Sequence, residues 1–160
     1  MKTAIVYYSM SGNTQQTAEA IAKEIGADII RIEPVKEYPS AGARKFIWGG
    51  MKAMMGEKPP LQPYDFSGEY DRIIIGTPVW ASNISPPIRS FIHENAEAIK
   101  DKKIAAFTCF SGGGAEKAIE KLKKLLGVDG LAAELILVDP KDHPSPENDE
   151  KIQAFCQRLS

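Results

Sequence analysis

Apolar and polar positions come in blocks along this chain. Five runs, "TAIVYY" (3–8), "DIIRI" (28–32), "RIIIG" (72–76), "KIAAFTC" (103–109) and "AELILV" (133–138), have strand length and almost unbroken apolar character. Runs of that kind are expected of strands buried on both faces. Between them the spacing lengthens. Thr17, Ala18, Ile21, Ala22 and Ile25 recur at helical intervals within 13–26, and Gly26 is a stop signal. A second helix is predicted over 85–99, with Pro86 and Pro87 in its first turn. "GAEKAIEKLKKLLG" (114–127) is amphipathic and closed by Gly127, and "PENDEKIQAFCQRL" (146–159) predicts a terminal helix.

Strands alternating with helices predict a doubly wound α/β domain, a five-stranded parallel sheet with helices on both faces, and the order 2-1-3-4-5 is preferred to the dinucleotide-binding order. All 160 residues are expected to form one such domain. The long connection between Ile32 and Arg72 needs a crossover helix, for which 40–56 is the candidate despite Gly49 and Gly50. "EKPPLQP" (57–63) reads as an extended surface loop, because proline removes the donors a helix needs.

Composition leaves this picture in place and narrows the function. Apolar residues make up 43% and charged residues 26%, as in an ordinary soluble domain. Net charge is −1 and evenly spread, so there is no basic face of the kind nucleic acid selects. The apolar runs are far too short to span a bilayer, and the entry into a strand-like run at Thr3 shows no signal peptide. Cys109 and Cys156 have no metal-ligand spacing and read as free thiols of a reducing cytoplasm.

The chemistry concentrates where strands end. "SMSGNT" (9–14) joins the first strand to the first helix and packs Ser9, Ser11, Asn13 and Thr14 around Gly12. Such a turn either caps the helix or holds an anion on its unpaired N–H groups. It contains no Lys or Arg, so neutral donors and the helix dipole would do the holding; a nucleotide P-loop, which requires a lysine, is excluded. "GTPVWASN" (76–83) and "TCFSGGG" (108–114) follow the third and fourth strands and so reach the same sheet edge, where ligands of such folds bind. Each carries an aromatic residue, Trp80 or Phe110. A flat ring could stack on Trp80 while the backbone of Gly112, Gly113 and Gly114 approaches its rim.

These three segments resemble the flavin loops of the flavodoxin family, over nearly the whole chain. Ser9-Met10-Ser11-Gly12-Asn13-Thr14 matches throughout the family's phosphate loop, [ST]-x-[ST]-G-x-T. "GTPVWASNISPPIRSFI" (76–92) is similar to its second flavin loop and following helix, and "FTCFSGGG" (107–114) to its third. The resemblance implies bound FMN: phosphate in 9–14, and isoalloxazine flanked by Thr77, Pro78, Val79, Trp80, Ala81, Ser82 and Asn83 on one loop. The other loop would supply Cys109, Phe110, Ser111, Gly112, Gly113 and Gly114. Two differences stand out. Electron-carrier flavodoxins are typically strongly acidic, whereas this chain is nearly neutral, so long-range steering of a partner is weak. The third loop has Phe110 where a tyrosine is usual, then three glycines, which leaves one ring face open.

The expected function is a redox protein passing electrons through FMN to a partner protein or a small-molecule acceptor. The alternatives are an NAD(P)H-dependent quinone or flavin reductase, and a flavin-free interaction module. His93 and His143 read as surface or structural residues, and the acids as a solvated surface. Cys109 reads as a small core residue near the flavin. The basic, Met-rich segment 40–58 is a solvated face or a partner surface; a monomer or weak homodimer is expected.

Overall fold

All five apolar runs become strands, and their ends fall level at one edge of a single sheet. The computed structural model describes residues 1–38, 56–110 and 112–160. Its strands are β1 (Thr3–Tyr7), β2 (Asp28–Arg31), β3 (Arg72–Trp80), the two-residue β4 (Asn83–Ile84), β5 (Lys103–Phe110) and β6 (Glu134–Val138). Parallel pairing gives the order β2-β1-β3-β5-β6, which is the predicted 2-1-3-4-5, while β4 pairs antiparallel with the far end of β3.

The period-two alternation of each strand divides the core in two. Ala4, Val6, Ile73, Ile75 and Ala106 face one cluster with Ile88, Phe91, Ile99 and Leu122. Those last four belong to the helices α2 (Pro86–Glu94), α3 (Ala96–Ile99) and α4 (Ala115–Leu126). Ile5, Tyr7, Ile74, Ala105 and Phe107 face the other cluster with Ala18, Ile21, Phe155 and Cys156, from α1 (Asn13–Ile25) and α5 (Pro146–Arg158). Burial on both faces accounts for the unbroken apolar runs. Both cysteines are free and buried.

Three departures have local causes. Strand β3 runs on through Trp80 instead of stopping at Gly76, because Val79 and Trp80 pair with Ile84 and Asn83 across a two-residue turn. The helix expected over 85–99 is divided at Asn95, whose φ and ψ are −117° and 19°. The Asn95 amide donates to the Phe91 carbonyl at 2.9 Å and to the Tyr64 hydroxyl at 2.8 Å, an alternative to continuing the helix. The helix proposed for 40–56 lies, apart from a turn at Gly56, outside the described residues. Residues 57–63 form no helix, and they lie along the chain after β2: Val35 N–H donates to the Pro60 carbonyl and Gln62 N–H to that of Glu33.

Candidate functional site

The sheet order reverses at β1, which has β2 on one side and β3 on the other. The carboxyl end of β1 is therefore the topological switch point, and a cleft opens there. Met10, Ser11, Asn13 and Thr14 line one end, Pro78, Val79 and Trp80 a side wall, and Cys109 and Phe110 the far part. All nine were singled out from the sequence, and three strands bring them together. The cleft has a volume of about 240 Å³.

The 9–14 turn is built for donation. Gly12 takes the left-handed conformation, φ 96°, and forms the N-cap of α1 with no side-chain cap hydrogen bond. Helix α5 shows the contrast, since Ser145 Oγ there accepts from Asn148 N–H at 3.1 Å. The first-turn N–H groups of α1 have no intrahelical carbonyl to bond, and no acidic residue occupies that turn. Ser9 Oγ accepts from Gly12 N–H at 3.1 Å and Ser11 Oγ from the Asn13 amide at 3.2 Å. Acceptance through oxygen leaves each hydroxyl proton available to donate. Thr14 is buried, as is Asn13.

Asn13 has a job that its sequence position does not reveal. Its Oδ1 accepts from Lys141 N–H at 2.8 Å, and its Nδ2 also donates to Asp142 Oδ2 at 3.2 Å. Both amide ends are thus engaged in joining the turn to the loop after β6. On the other flank Arg31 Nη2 donates to the Ser9 carbonyl at 3.3 Å and Nη1 to Gln15 at 2.6 Å, while Nε pairs with Glu33. The turn is held from both sides.

The remaining predicted residues frame the cleft more than they line it. Ser9 and Gly12 complete the turn. Thr77 is fully buried and its hydroxyl is occupied: it accepts from Ser85 N–H at 3.0 Å and lies 2.9 Å from Ser85 Oγ, which anchors the start of α2. Ala81 and Ser82 form the turn between β3 and β4 with φ of 51° and 58°, and Asn83 begins β4. Gly114, at φ 89°, lies against Ser82; a Cβ there would come within 2.2 Å of Ser82 Oγ and 2.9 Å of its Cα. Gly112 and Gly113 are exposed, with nothing near where a Cβ would stand. Ser111 lies outside the described residues.

Trp80 borders the cleft and also packs edge-on against two tyrosines. Its ring is 5.8 Å from Tyr8 at 87° and 5.3 Å from Tyr38 at 86°. Burial raises the pKa of both tyrosines. Cys109 has its sulfur 3.5 Å from the Thr17 hydroxyl, and burial pushes its pKa up to about 11, so it stands there as a neutral thiol.

Sequence reasoning missed Asp139 and Asp142 and read His143 as surface or structural; the three complete the rim. Hydrogen bonding from Asn13, then from Lys141, lowers the pKa of Asp142. His143 is exposed and its N–H donates to the Asp139 carbonyl, while Asp139 itself has φ 36°. The signal was topological: "VDPKDHP" follows the fifth parallel strand and so must reach the same edge. Among the described residues no group of acids, histidines or cysteines could hold a metal ion, and no helix is long and apolar enough to cross a membrane.

A doubly wound sheet with an uncapped helix N-terminus at its switch point, flanked by an aromatic cleft, defines a domain for a phosphorylated planar ligand. The chain belongs to the flavodoxin family, whose model matches residues 2–131; the family is one of FMN-binding flavoproteins. Its fold is shared by solved structures of low identity. A flavoprotein from Lactobacillus acidophilus NCFM, in complex with FMN, is 24% identical, with a TM-score of 0.66 and coverage of 94% of this chain and 97% of that one. A protein from Bacteroides eggerthii DSM 20697 is 23% identical, with a TM-score of 0.76 and coverage of 98% and 96%. The Megasphaera elsdenii flavodoxin is 19% identical, with a TM-score of 0.59 and coverage of 97% and 98%. The donor set here fits FMN: N–H groups and hydroxyls at one end for the phosphate, and Trp80 and Phe110 toward the other for a flat ring.

Proposed function

We propose that the protein binds FMN in this cleft and carries electrons between a donor and an acceptor. One observation carries the reading: α1 starts at a left-handed glycine without a side-chain cap, directly beside the Ser11 and Thr14 hydroxyls. A carboxylate or phosphate is the natural partner of such an N-terminus, and a terminal phosphate suits FMN rather than FAD. FMN supplies the one- and two-electron chemistry. The chain's own residues hold and orient it. The first turn of α1 takes the phosphate, Trp80 supports the ring from a site buttressed by Tyr8 and Tyr38, and the hairpin after β3 presents its backbone to the rim. Cys109, protonated, adds no charge beneath.

A second reading, an NAD(P)H-dependent quinone or flavin reductase, is favoured by the exposed pair Gly112–Gly113. No side chain from these two positions covers the ring, so a substrate could lie on that face. In either case the near-neutral chain, net charge −1, would meet its partner with little electrostatic steering. The acceptor is then a docked protein or a small molecule in a cytoplasmic setting.

The test has two parts. The chromophore released from the purified protein should have the mass of FMN; FAD as the native ligand would remove the phosphate-loop assignment. Anaerobic titration with NADH and NADPH, with and without a quinone, then separates the two readings. Rapid bleaching and turnover select the reductase, and inertness selects the carrier.

A further inference from the structure

The 9–14 turn contains no cation, yet the fold brings one to it. We infer that Lys141, from the loop after β6, is the counter-ion of the cofactor's phosphate; the inference rests on the FMN reading. The stem of Lys141 occupies the space that a side chain at position 12 would need: a Cβ on Gly12 would lie 3.1 Å from Lys141 Cδ, 3.2 Å from Cε and 3.8 Å from Nζ. The ammonium end thus lies beside Gly12, next to the residue from which α1 starts.

The loop's register does not depend on that side chain. Asn13 fixes it through the backbone N–H of Lys141 at 2.8 Å and the Asp142 carboxylate at 3.2 Å. A replacement at 141 therefore removes the charge and leaves the clamp. The present partner of Nζ is Asp142 Oδ1 at 3.4 Å, with the two side chains 48% and 53% exposed. An exposed pair of that length is weak. A phosphate monoester carries close to two negative charges above its second pKa of about 6 and offers three acceptor oxygens, so it competes well for the ammonium. The surroundings favour a cation. Asp139 and Asp142 both border the cleft, with His143 beside them, so a phosphate entering there meets two carboxylates, and among the described residues Arg31 is already paired with Glu33.

The full-length protein, freed of flavin, should be titrated with FMN and with riboflavin. Lys141→Gln should raise the FMN dissociation constant about 5- to 20-fold, between the effect of an exposed ion pair and that of a sheltered hydrogen bond to a charged group, and leave riboflavin within about twofold. Lys141→Arg should recover most of the loss. Lys121→Gln, which removes an exposed cation on α4, should change neither ligand. Raising ionic strength from about 0.05 to about 0.5 M should shrink the Lys141→Gln effect, since the pair is open to screening. Equal FMN affinity for wild type and Lys141→Gln, beside a clear loss in Thr14→Ala, would overturn the role of Lys141 alone. A wild type that binds FMN no tighter than riboflavin would overturn the phosphate cradle and this inference with it.

Discussion

Ser11 and Thr14 stand at the anion turn with different burdens. Ser11 accepts from Asn13, whereas Thr14 is buried beside Cys109, whose thiol it also contacts. In the proposed complex each hydroxyl would donate its proton to the phosphate, so Ser11→Ala and Thr14→Ala should each weaken FMN binding by about 1–3 kcal/mol. Riboflavin binding should be nearly unchanged, and Thr14→Ser should retain affinity where Thr14→Ala does not. Isothermal titration with both ligands checks this; equal losses for FMN and riboflavin would reduce the hydroxyls to packing. Trp80 carries two functions at once. It borders the cleft and supplies an edge-to-face partner to Tyr8 and Tyr38. Trp80→Ala should brighten bound flavin, weaken FMN and riboflavin alike by about 0.5–1.5 kcal/mol beyond burial, and lower the melting temperature of the flavin-free protein as well. Unchanged flavin fluorescence would leave Trp80 as a packing residue alone.

At the scale of elements, the hairpin between β3 and β4 is the locally unfavourable piece. Ala81 and Ser82 both have positive φ, the signature of a turn that prefers Asn-Gly. The double variant Ala81→Asn, Ser82→Gly should therefore stabilise the flavin-free protein by about 1 kcal/mol, measured by urea unfolding. The neighbouring loop is constrained in the opposite sense. Gly114 needs both its φ of 89° and the absence of a Cβ, because Ser82 fills that space. Gly114→Ala should cost about 2–3 kcal/mol, and a stability within about 0.5 kcal/mol of wild type would show that the two loops do not depend on this contact. The elements differ in how they could be read. Helix α5 was legible from "PENDEKIQAFCQRL", and in the structure Ser145 caps its start. The division between α2 and α3 was not, since it depends on the Asn95 amide finding Tyr64, which is remote in the chain.

Across the whole molecule, alkaline pH should find the buried acids that burial keeps protonated. Cys109 in the folded state titrates near 11, against an ordinary value near 9.0. Below about pH 9 both states hold the proton and nothing is lost. Between about 9 and 11 the unfolded chain releases it and the folded one does not, so stability falls as pH rises. The loss from Cys109 is about 1–3 kcal/mol, and Tyr8 and Tyr38, raised by burial, extend the decline upward. Urea midpoints followed from pH 8 to about 10.5 should drop steadily for wild type and less steeply for Cys109→Ala. Equal slopes would show that the thiol titrates alike in both states.

The arrangement of this protein was legible wherever it depends on contacts close in sequence or on a simple period. The alternation of strands and helices, the two-faced core and the 9–14 turn follow from apolar runs buried on both sides, from helical spacing and from one clustered motif, all local properties. The level ends of the strands then follow from parallel pairing, which is why Trp80 and Phe110 could be assigned to one edge in advance. Whatever depends on groups from distant parts of the chain was not legible. Asn13 lines the cleft as the sequence suggested, but its side chain also clamps the turn to residues 141 and 142; Lys141, Asp142 and Arg31 lie around a turn that has no charge of its own. A side chain's partners at long range are set by packing geometry rather than by local propensity, so the electrostatics of the cleft emerged only when the sheet was assembled.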